Sequence, residues 1–464
     1  MKKMVMWGLI VIAVVVLTLG TYFGMGLLTE RTLRHTISLL DQSNGLWVEL
    51  TDYNRGLFRS SAKLTWKLSV PEHDSLNKNG QHVSVAAKTY EVPMPLIIQH
   101  GPVVISSDHI YLGLGYAQTS MELPNEANAA FTKNYTAEST QPKINMHFSV
   151  NYLNNTHVSV SVPDFKVISK TDKHIFEWLG MTNETFIASQ GKRIHGTFNL
   201  NGLTWQQNQA NLVVGPVESS YDLHPSSSGL YMGDAHVIFS SLRILEKGQT
   251  MIDLDQLRLE SSSNVLQLLF QSQAKLEIEQ LVFHGHKYGP MNLDVSVKDL
   301  DADVLAKINQ KLAESSHSSS QSLLFSTLPE LPALLNKGAI LSVNALNMKL
   351  PEGDVHGSMQ LTFPKESISN PIQLSKKISG GLNLVIGERV LKQCMTILVS
   401  HPWGSDTVKK SADELAADAD TKISSLMKSG VLIKEGQINK VDLKLSNGHL
   451  FVNGHPFNAS MLNF

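Results

Sequence analysis

The chain has 464 residues, 42% of them hydrophobic and 17% charged, which is typical of an ordered globular protein and argues against a disordered one. Its formal net charge is −2 at pH 7, and with Lys2 and Lys3 set aside, 37 of the 39 basic residues remain against 41 acidic ones. That balance argues against a nucleic-acid partner, because such a protein needs a basic face to neutralise phosphates.

The amino-terminal end is dominated by an apolar run. Met4 to Leu28 contains no charged residue, and these roughly 25 positions are enough for one helix to cross a bilayer. Lys2 and Lys3 precede the run, and basic residues are enriched on the cytoplasmic side of such helices. We therefore expect residues 1–28 to form a cytoplasmic tip and a transmembrane signal anchor, with the rest of the chain on the extracytoplasmic side.

Two other interpretations of the apolar run remain open. A cleavable signal peptide would be cut near Gly20, but its apolar core is normally only about 7 to 15 residues long, and this run is longer. Gly20 and Gly24 also have the GxxxG spacing, which lets two membrane helices pack closely. The alternative to a single helix is therefore a dimer that packs through these two glycines.

Beyond the anchor, the hydrophobic pattern first follows a helix and then a sheet. Apolar residues at helical spacing predict a short juxtamembrane helix within residues 29–45. From Leu46 onward, apolar and polar residues alternate, which is typical of strands with one dry and one wet face. The clearest predicted strands are 62–70, 83–87, 144–153, 158–162, 194–203, 210–214, 231–239, 251–259 and 274–284. The fold class is therefore mainly β (β-rich α+β), with a large antiparallel-sheet body.

Helices are predicted at only a few places in this body. Residues 301–312, 331–335 and 408–429 have apolar positions at helical spacing, and Gly430 is a usual helix end after the last of them. The apolar stripe of 408–429 is narrow and rich in alanine. We expect this stripe to pack on a sheet, and the alternative is a helix that docks on a partner or on lipid.

The division of the body, residues 46–464, stays open at this level. Polar loops at 224–228 and 314–322 are natural places for a boundary. The body is either one continuous sheet or two lobes, 46–220 and 229–464.

The sequence offers little evidence of catalysis or of a metal site. It contains no GxSxG elbow, Walker loop or HExxH motif. His284 and His286 form an H-x-H pair that could face one side of a strand, as zinc requires, but no third ligand lies nearby, and we expect solvated histidines. His100 is isolated, which argues against a general base. We expect neither an enzyme nor a cofactor.

The cysteine content narrows the chemistry further. Cys394 is the only cysteine, so the chain can form no internal disulfide, CxxC redox pair or cysteine-rich zinc site. Because Cys394 lies in an apolar stretch, we expect it to be buried.

Three short passages carry a resemblance to a known family. They are Tyr53, Arg55, Gly56 and Phe58 followed by His100-Gly101-Pro102; Tyr288-Gly289-Pro290; and Asn453-Gly454 near the chain end. In this order, behind a short anchor, they resemble the YdgA family of bacterial inner-membrane-anchored periplasmic proteins, a family of unknown function. The resemblance implies a Gram-negative inner-membrane protein with a periplasmic body and no established catalytic residues. Several of these residues are turn formers, so we expect mainly structural roles for them.

Two functional hypotheses follow, both without catalysis. In the first, a curved antiparallel sheet folds its apolar face into a groove that binds lipid or another hydrophobic ligand. In the second, the protein is a scaffold or accessory subunit of an envelope or secretion assembly, with sheet edges or the helix at 408–429 as docking surfaces. The same alternation also fits a closed sandwich whose dry faces pack on each other.

Overall fold

The computed structural model describes most of the chain. The described residues are 2–40, 46–70, 73–76, 82–85, 87–105, 110–121, 125–171, 173–314, 328–366, 376–400, 411–446 and 448–457, with the side chains of the first helix described from Leu19 to Ser38. The fold is mainly β with a few helices, as the alternation predicts.

Of the described α-helices, two lie in the first half of the chain and four in the second half. They are α1 (Lys2–Leu40), α2 (Asn125–Asn134), α3 (Ala302–Glu314), α4 (Leu331–Leu335), α5 (Glu388–Ser400) and α6 (Ala412–Lys428). The patterns at 301–312, 331–335 and 408–429 correspond to α3, α4 and α6, although residues 408–410 lie outside the described part. The hydrophobic pattern of the sequence does not predict α2 and α5.

Helix α1 runs without interruption from Lys2 to Leu40. The predicted anchor and the predicted juxtamembrane helix therefore belong to one helix, while residues 41–45 lie outside the described part of the chain. The side chains of residues 4–18, on which most of the anchor prediction depends, also lie outside it. Within what the structure does describe, we find no helix that combines the length and the apolar character needed to cross a membrane.

Strands fill the rest of the described chain. They are β1 (Leu46–Asn54), β2 (Arg59–Val70), β3 (His73–Leu76), β4 (His82–Val85), β5 (Lys88–His100), β6 (Val103–Ile105), β7 (Ile110–Leu112), β8 (Gly115–Met121), β9 (Ile144–Val150), β10 (Thr156–Val162), β11 (Phe165–Ile168), β12 (Ile175–Trp178), β13 (Met181–Ile187), β14 (Ile194–Leu200), β15 (Leu203–Gln207), β16 (Ala210–Val214), β17 (Val217–Pro225), β18 (Tyr231–Glu246), β19 (Gln249–Leu266), β20 (Leu269–Phe283), β21 (His286–Tyr288), β22 (Met291–Asp301), β23 (Ile340–Leu350), β24 (Gly353–Thr362), β25 (Ser379–Gly387), β26 (Ile433–Glu435), β27 (Ile438–Ser446), β28 (His449–Val452) and β29 (His455–Pro456). Of these, 25 belong to one hydrogen-bonded sheet, and β3–β4 and β6–β7 form two separate hairpins.

Residue contacts divide the chain into two compact units that interleave along the sequence. Unit 1 comprises Met1–Leu203, Ser220–Pro225 and Asn309–Leu324, and unit 2 comprises Thr204–Ser219, Ser226–Ile308 and Phe325–Phe464. This division differs from the two lobes suggested by the sequence, because it places residues 204–219 in unit 2.

In unit 1, α1 covers the dry face of the sheet. The strands pair antiparallel in the order β1, β2, β5, β8, β9, β10, β13, β14. On one face, Ile98, Ala117 and Phe148 are cross-strand neighbours, and all three are buried. Leu33 and Ile37 of α1 pack into the same cluster. The apolar face of unit 1 is therefore a closed core rather than a groove.

In unit 2, the strands are longer and fewer side chains are buried. The antiparallel order is β16, β18, β19, β20, β22, β23, β24, β25, β27, β28. Strands β18 and β19 have 16 and 18 residues and extend well beyond the predicted 231–239 and 251–259. Strand β20 begins five residues before the predicted 274–284 and ends at Phe283. Polar residues interrupt strict alternation in these extensions, but backbone pairing continues.

The structure corrects two further expectations and adds a helix contact to a third. The predicted strand 194–203 is two strands, because Gly202 adopts a φ of 123° and turns the chain before β15. Helix α6 packs against α5, and Ala419 is fully buried. Cys394 is exposed on α5 rather than buried, although Val390 one helical turn earlier packs against Val355 and Ile386 of the sheet.

Candidate functional site

The first family motif contacts α1 where the helix meets unit 1. The Tyr22 ring lies edge-to-face on Phe58 with ring centroids 4.8 Å apart, and its hydroxyl donates to the Val103 carbonyl at 3.3 Å. Gly101 has a φ of 130°, and a Cβ built there would lie 1.8 Å from Tyr22 Cε1. Glycine at position 101 is therefore required both by the backbone conformation and by the close approach of the helix.

One helical turn further on, the helix contacts His100. A Cβ built on Gly26 would lie 2.8 Å from His100 Cε1, so this ring packs directly on the helix backbone. His100 is only 1% exposed, and its Nε2 forms a 3.0 Å hydrogen bond with the Ser60 hydroxyl. Burial lowers the pKa of His100, and the positive charge of Arg55 acts in the same direction. At neutral pH this side chain is therefore an uncharged packing element between helix and sheet.

Charged residues hold the exposed side of the same contact. Arg55 donates to Glu30 through Nε at 3.1 Å and also through Nη2, and Arg34 Nε donates to the other carboxylate oxygen at 3.1 Å. Burial alone would raise the pKa of Glu30, but the hydrogen bonds from Arg55 and Arg34 hold it below its ordinary value. The Arg34 guanidinium also lies 5.5 Å from the centre of the Tyr53 ring, and burial raises the pKa of that tyrosine.

Threonines on α1 continue the contact along the sheet. The Thr29 hydroxyl lies 2.9 Å from the Leu114 carbonyl, and a Cβ built on Gly115 would lie 2.3 Å from Thr29 Cγ2. The hydroxyls of Thr36 and Thr156 are 3.3 Å apart. The buried stripe formed by Gly26, Thr29, Thr32, Leu33, Thr36 and Ile37 has helical spacing. We call this stripe and the motif residues that contact it, from Tyr53 to Phe58 and from His100 to Gly101, the helix socket.

The remaining residues of the first motif set the local turns. A Cβ on Gly56 would lie 2.2 Å from the Arg59 carbonyl, so only glycine fits the turn before β2. The Pro102 carbonyl accepts a hydrogen bond from the Tyr152 hydroxyl. Gly20 and Gly24, the predicted packing pair, have no atom within 4 Å of a built Cβ, so they face away from the body.

The second motif lies in unit 2, where β21 leads into β22. Gly289 N donates to the Lys349 carbonyl at 2.7 Å, and Lys349 N donates to the Pro290 carbonyl at 3.1 Å. Gly289 has a φ of 111°, and a Cβ built on it would lie 2.7 Å from the Glu279 carbonyl. Tyr288 pairs with Leu281 in β20. This motif therefore fixes the start of β22 between its neighbouring strands.

The third motif joins the end of α6 to the last hairpin. Asn453 Oδ1 accepts from Asp442 N at 2.9 Å, while its Nδ2 donates to the carbonyls of Gly430 and Val431 at 2.8 and 3.0 Å. Gly454 follows in the left-handed region with a φ of 82°. The three motifs therefore lie at different places, and only the residues of the first are brought together.

The histidine pair suggested for zinc lies in a turn. Phe283 pairs with His286, so His284 and Gly285 are the two turn residues, with φ angles of 47° and 81°. The two imidazoles are thus not on one strand face. Within the described residues, no group of three or more His, Cys, Asp or Glu side chains could hold a metal ion.

Unit 2 presents an apolar surface that the sequence analysis did not locate. Cross-strand pairing aligns one apolar residue from each of eight neighbouring strands. The members of this apolar row are Val237, Leu259, Leu276, Leu293, Leu346, Gly357, Leu384 and Val441. None of them is buried, and Leu259 is 41% exposed. With strands about 4.8 Å apart, the row is about 34 Å long.

A second row lies beside the first on the same face. Its members are Ala235, Ser261, Ala274, Val295, Val343, Met359, Leu382 and Leu443, all of them partly exposed. We call the surface formed by the two rows the transverse groove. Registers across eight strands create it, and alternation within one strand cannot reveal which residues align.

Helices cover the same face on both sides of the transverse groove. On one side α5 places Val390 against Val355 and Ile386. On the other side, α3 and α4 contribute to a cluster with Phe363 and Leu361. Along β24, Val355 and Leu361 are six residues apart, or about 20 Å. Among the described residues, the surface between the two helical clusters is thus wide enough for a chain-like ligand, and Leu346 and Leu384 of the apolar row pack against the α5 cluster at its edge.

A second concavity in unit 2 has a mixed polar and apolar lining. It has a volume of about 510 Å³, and its lining includes Ser342, Asn344, Gln360, Asn383 and Lys444 together with Val343, Met359, Leu382 and Leu443 of the second row. Nearby, Asn344 and Gln273 donate to the Asp294 carboxylate at 2.8 and 3.0 Å. Burial alone would raise the pKa of Asp294, but these two hydrogen bonds hold it below its ordinary value.

Comparison with known proteins adds a family but no activity. A family model described as a bacterial protein of unknown function (DUF945) matches residues 1–460. No curated protein matches the chain.

Proposed function

The chain belongs to the bacterial DUF945 family of unknown function, and on that premise we propose that it is a non-enzymatic envelope protein that binds lipid or another hydrophobic molecule in the transverse groove. In this proposal the protein is held in the inner membrane by residues 4–28, with its amino terminus in the cytoplasm and its body in the periplasm. The narrower resemblance to the YdgA family stays a prediction.

The observation that carries the proposal is the apolar row of eight partly exposed positions. Large contiguous apolar surfaces are rare on soluble proteins and usually mark a binding site. A row of about 34 Å exceeds the length of an extended acyl chain, which is roughly half of a 30 Å hydrocarbon core. Each methylene buried there would contribute about 0.8 kcal/mol.

The other candidate surface, the dry face of unit 1, does not support ligand binding. Its side chains are sealed by α1, with Leu64 and Ile98 fully buried. A ligand could reach this face only by displacing the helix. The proposal therefore places the ligand in unit 2 alone.

The membrane anchor rests on the sequence and on the continuity of α1. Residues 4–28 are uncharged, and the helix that contains them continues into the helix socket. Lys2 and Lys3 at the start of the helix favour a cytoplasmic amino terminus.

The direct test is native mass spectrometry of the full chain purified from membranes, with lipid extraction from the same preparation. We expect bound phospholipid or another apolar molecule in stoichiometric amount. In Leu259→Lys a charge enters the transverse groove, and we expect severalfold less bound lipid because burying a charge beside an acyl chain is costly.

Leu266→Lys is the matched control. Leu266 is also in β19 and is 55% exposed, but it lies on the opposite face because seven residues separate it from Leu259. Lipid content should match that of the parent chain. A lipid-free parent chain, or an equal loss in both variants, would refute binding in the groove.

The alternative is a scaffold or accessory subunit of an envelope or secretion assembly. The observation that favours it is on α5, where Ile397 and Leu398 are 63% and 51% exposed. Cys394 is exposed one helical turn away, so a thiol-directed photocrosslinker at the native cysteine probes this surface. A stoichiometric protein adduct that Ile397→Glu abolishes would favour the scaffold, whereas an adduct with lipid or none at all would not.

A further inference from the structure

Exposed apolar side chains surround α1 at the level where it leaves unit 1. Tyr22 of α1 contacts the sheet strands and their loops through Phe58, Gly101 and Val103. Phe58 is 52% exposed and Val103 is 42% exposed, although both touch the helix. The surface next to the helix at this level is therefore apolar and open to solvent.

The β6–β7 hairpin extends this surface. Cross-strand pairing places Val103 opposite Leu112 and Ile105 opposite Ile110. Val103, Ile105, Ile110 and Leu112 are 42%, 71%, 73% and 61% exposed, while Val104 on the other side of the hairpin is buried. Exposing four aliphatic side chains on one side of a hairpin to water is energetically unfavourable, and such apolar surfaces usually mark an interaction site.

A third loop is hydrogen-bonded to the start of the hairpin. Leu153, in the turn between β9 and β10, is 76% exposed. Its neighbour Tyr152 bonds to the Pro102 carbonyl just before β6, and Asn154 accepts a hydrogen bond from Thr32 of α1. This turn is thus tied to both the hairpin and the helix. We call Phe58, Val103, Ile105, Ile110, Leu112 and Leu153 the apolar collar.

Helix geometry gives the position of the collar relative to a bilayer. From Met4 to Tyr22 there are 19 residues, or about 28 Å at 1.5 Å per residue, which matches a hydrocarbon core of about 30 Å. The length of helix needed to cross the hydrocarbon core therefore ends at Tyr22, which is also the residue that contacts Phe58, Gly101 and Val103 of the body. Charge agrees with this position, since Asp108 is the only Asp, Glu, Lys or Arg between Gly101 and Met121.

We propose that the apolar collar enters the interfacial layer of the membrane around α1, so that unit 1 rests on the lipid surface in a fixed orientation. The occupant of the collar is the headgroup and upper acyl region of phospholipids, where apolar side chains are buried about 5–10 Å deep. This inference rests on the proposed membrane anchor, but it is independent of lipid binding in the transverse groove.

The test uses spin labels on the full chain in vesicles of phosphatidylethanolamine and phosphatidylglycerol. Cys394→Ser removes the native thiol, and Ile105→Cys or Leu153→Cys then supplies a labelling site at a position that is already exposed. Leu179→Cys is the matched control. Leu179 is 46% exposed in unit 1, but it lies at the other end of β10 and β13, about 20 Å from the collar.

We expect labels at 105 and 153 to be severalfold more accessible to oxygen than to a water-soluble nickel chelate, relative to the label at 179. Equal nickel access at all three sites in a chain that floats with vesicles would refute the collar and leave the anchor standing. A chain that fails to float would refute the anchor and the collar together. Shielding of residue 105 from both reagents would indicate a protein contact and would also overturn the proposal.

Discussion

At the residue scale, glycine marks where α1 and the sheet of unit 1 come closest. Gly24 and Gly26 are two residues apart in α1. A Cβ built on Gly26 would lie 2.8 Å from the His100 ring, whereas a Cβ built on Gly24 has no atom within 4 Å. Alanine at the two positions therefore distinguishes the effect of the contact with His100 from the effect of helix propensity.

We predict that Gly26→Ala destabilises the chain by about 1–3 kcal/mol, because the buried His100 ring must move. Gly24→Ala is the control and should stabilise the helix by about 0.5–1 kcal/mol, since alanine is the better helix former. Thermal unfolding of the detergent-solubilised chain, followed by circular dichroism, measures both. Equal effects would mean that the helix is not packed on His100.

The buried His100 also predicts how the free energy of unfolding depends on pH. Its pKa is lowered in the folded chain, mainly by burial and secondarily by Arg55, so below its ordinary value of about 6.5 the unfolded chain binds the proton more readily. Stability should therefore be constant above about pH 7.5 and fall as the pH drops below 6.5.

The comparison is between the parent chain and His100→Gln, measured by urea unfolding from pH 7.5 to 5. The variant loses packing at every pH, but the dependence of its stability on pH should be weaker. His195→Gln removes an exposed histidine of the same unit and is the control for losing a histidine. Identical pH profiles for the parent chain and His100→Gln would contradict a role for His100 protonation.

At the element scale, the contact between α5 and α6 explains the alanine-rich stripe. Ala419 of α6 is fully buried, at 0% accessibility, next to Asp420, which accepts a hydrogen bond from Lys392 of α5, while Ala417 faces solvent. Small side chains allow two helices to pack closely, so the narrow stripe is suited to a helix as well as to a sheet.

We predict that Ala419→Leu destabilises the α5–α6 pair by about 1–3 kcal/mol through overpacking. Ala417→Leu should change stability by less than about 0.5 kcal/mol, because its side chain stays in solvent. Amide hydrogen exchange in α5 and α6 measures the difference. Equal protection in both variants would show that the alanine stripe is not a packed interface.

At the scale of the whole molecule, α1 belongs both to the proposed anchor and to the core of unit 1. Leu33 and Ile37 are 2% and 4% exposed, so the helix that leaves the core is continuous with residues 4–28. The residues that would form a mobile linker between the proposed anchor and the body belong to α1, so the anchor and the body are joined by continuous helix.

We predict that the chain purified from the membrane fraction of a Gram-negative host keeps its full mass of 51.2 kDa and resists alkaline extraction. The apolar run exceeds the normal length of a signal-peptide core, so cleavage should not occur. A soluble product that begins at Thr21 would instead establish a cleaved leader. Recovery of the intact chain in the alkaline supernatant would refute the anchor.

The turns, the helices and the apolar row differ in how much of each can be predicted from the sequence. Turn residues such as Gly101 and Gly289 are visible in the sequence because a positive φ strongly favours glycine. Helix α5 was missed although Val390, Leu391, Cys394 and Ile397 have helical spacing, since its β-branched residues also fit a strand. The apolar row was not predictable, because it depends on seven strand registers at once.

The sequence by itself determined that the body is mainly β, that a helix follows the apolar run, and where the turns of the three motifs lie. These features depend on local periodicity and on residues with special backbone conformations. Only the tertiary structure decided that α1 closes the apolar face of unit 1 and that, among the described residues, the face of unit 2 stays open between α5 and the α3–α4 cluster. Alternation shows which residues of one strand share a face, but what packs on that face depends on contacts between residues far apart in the chain.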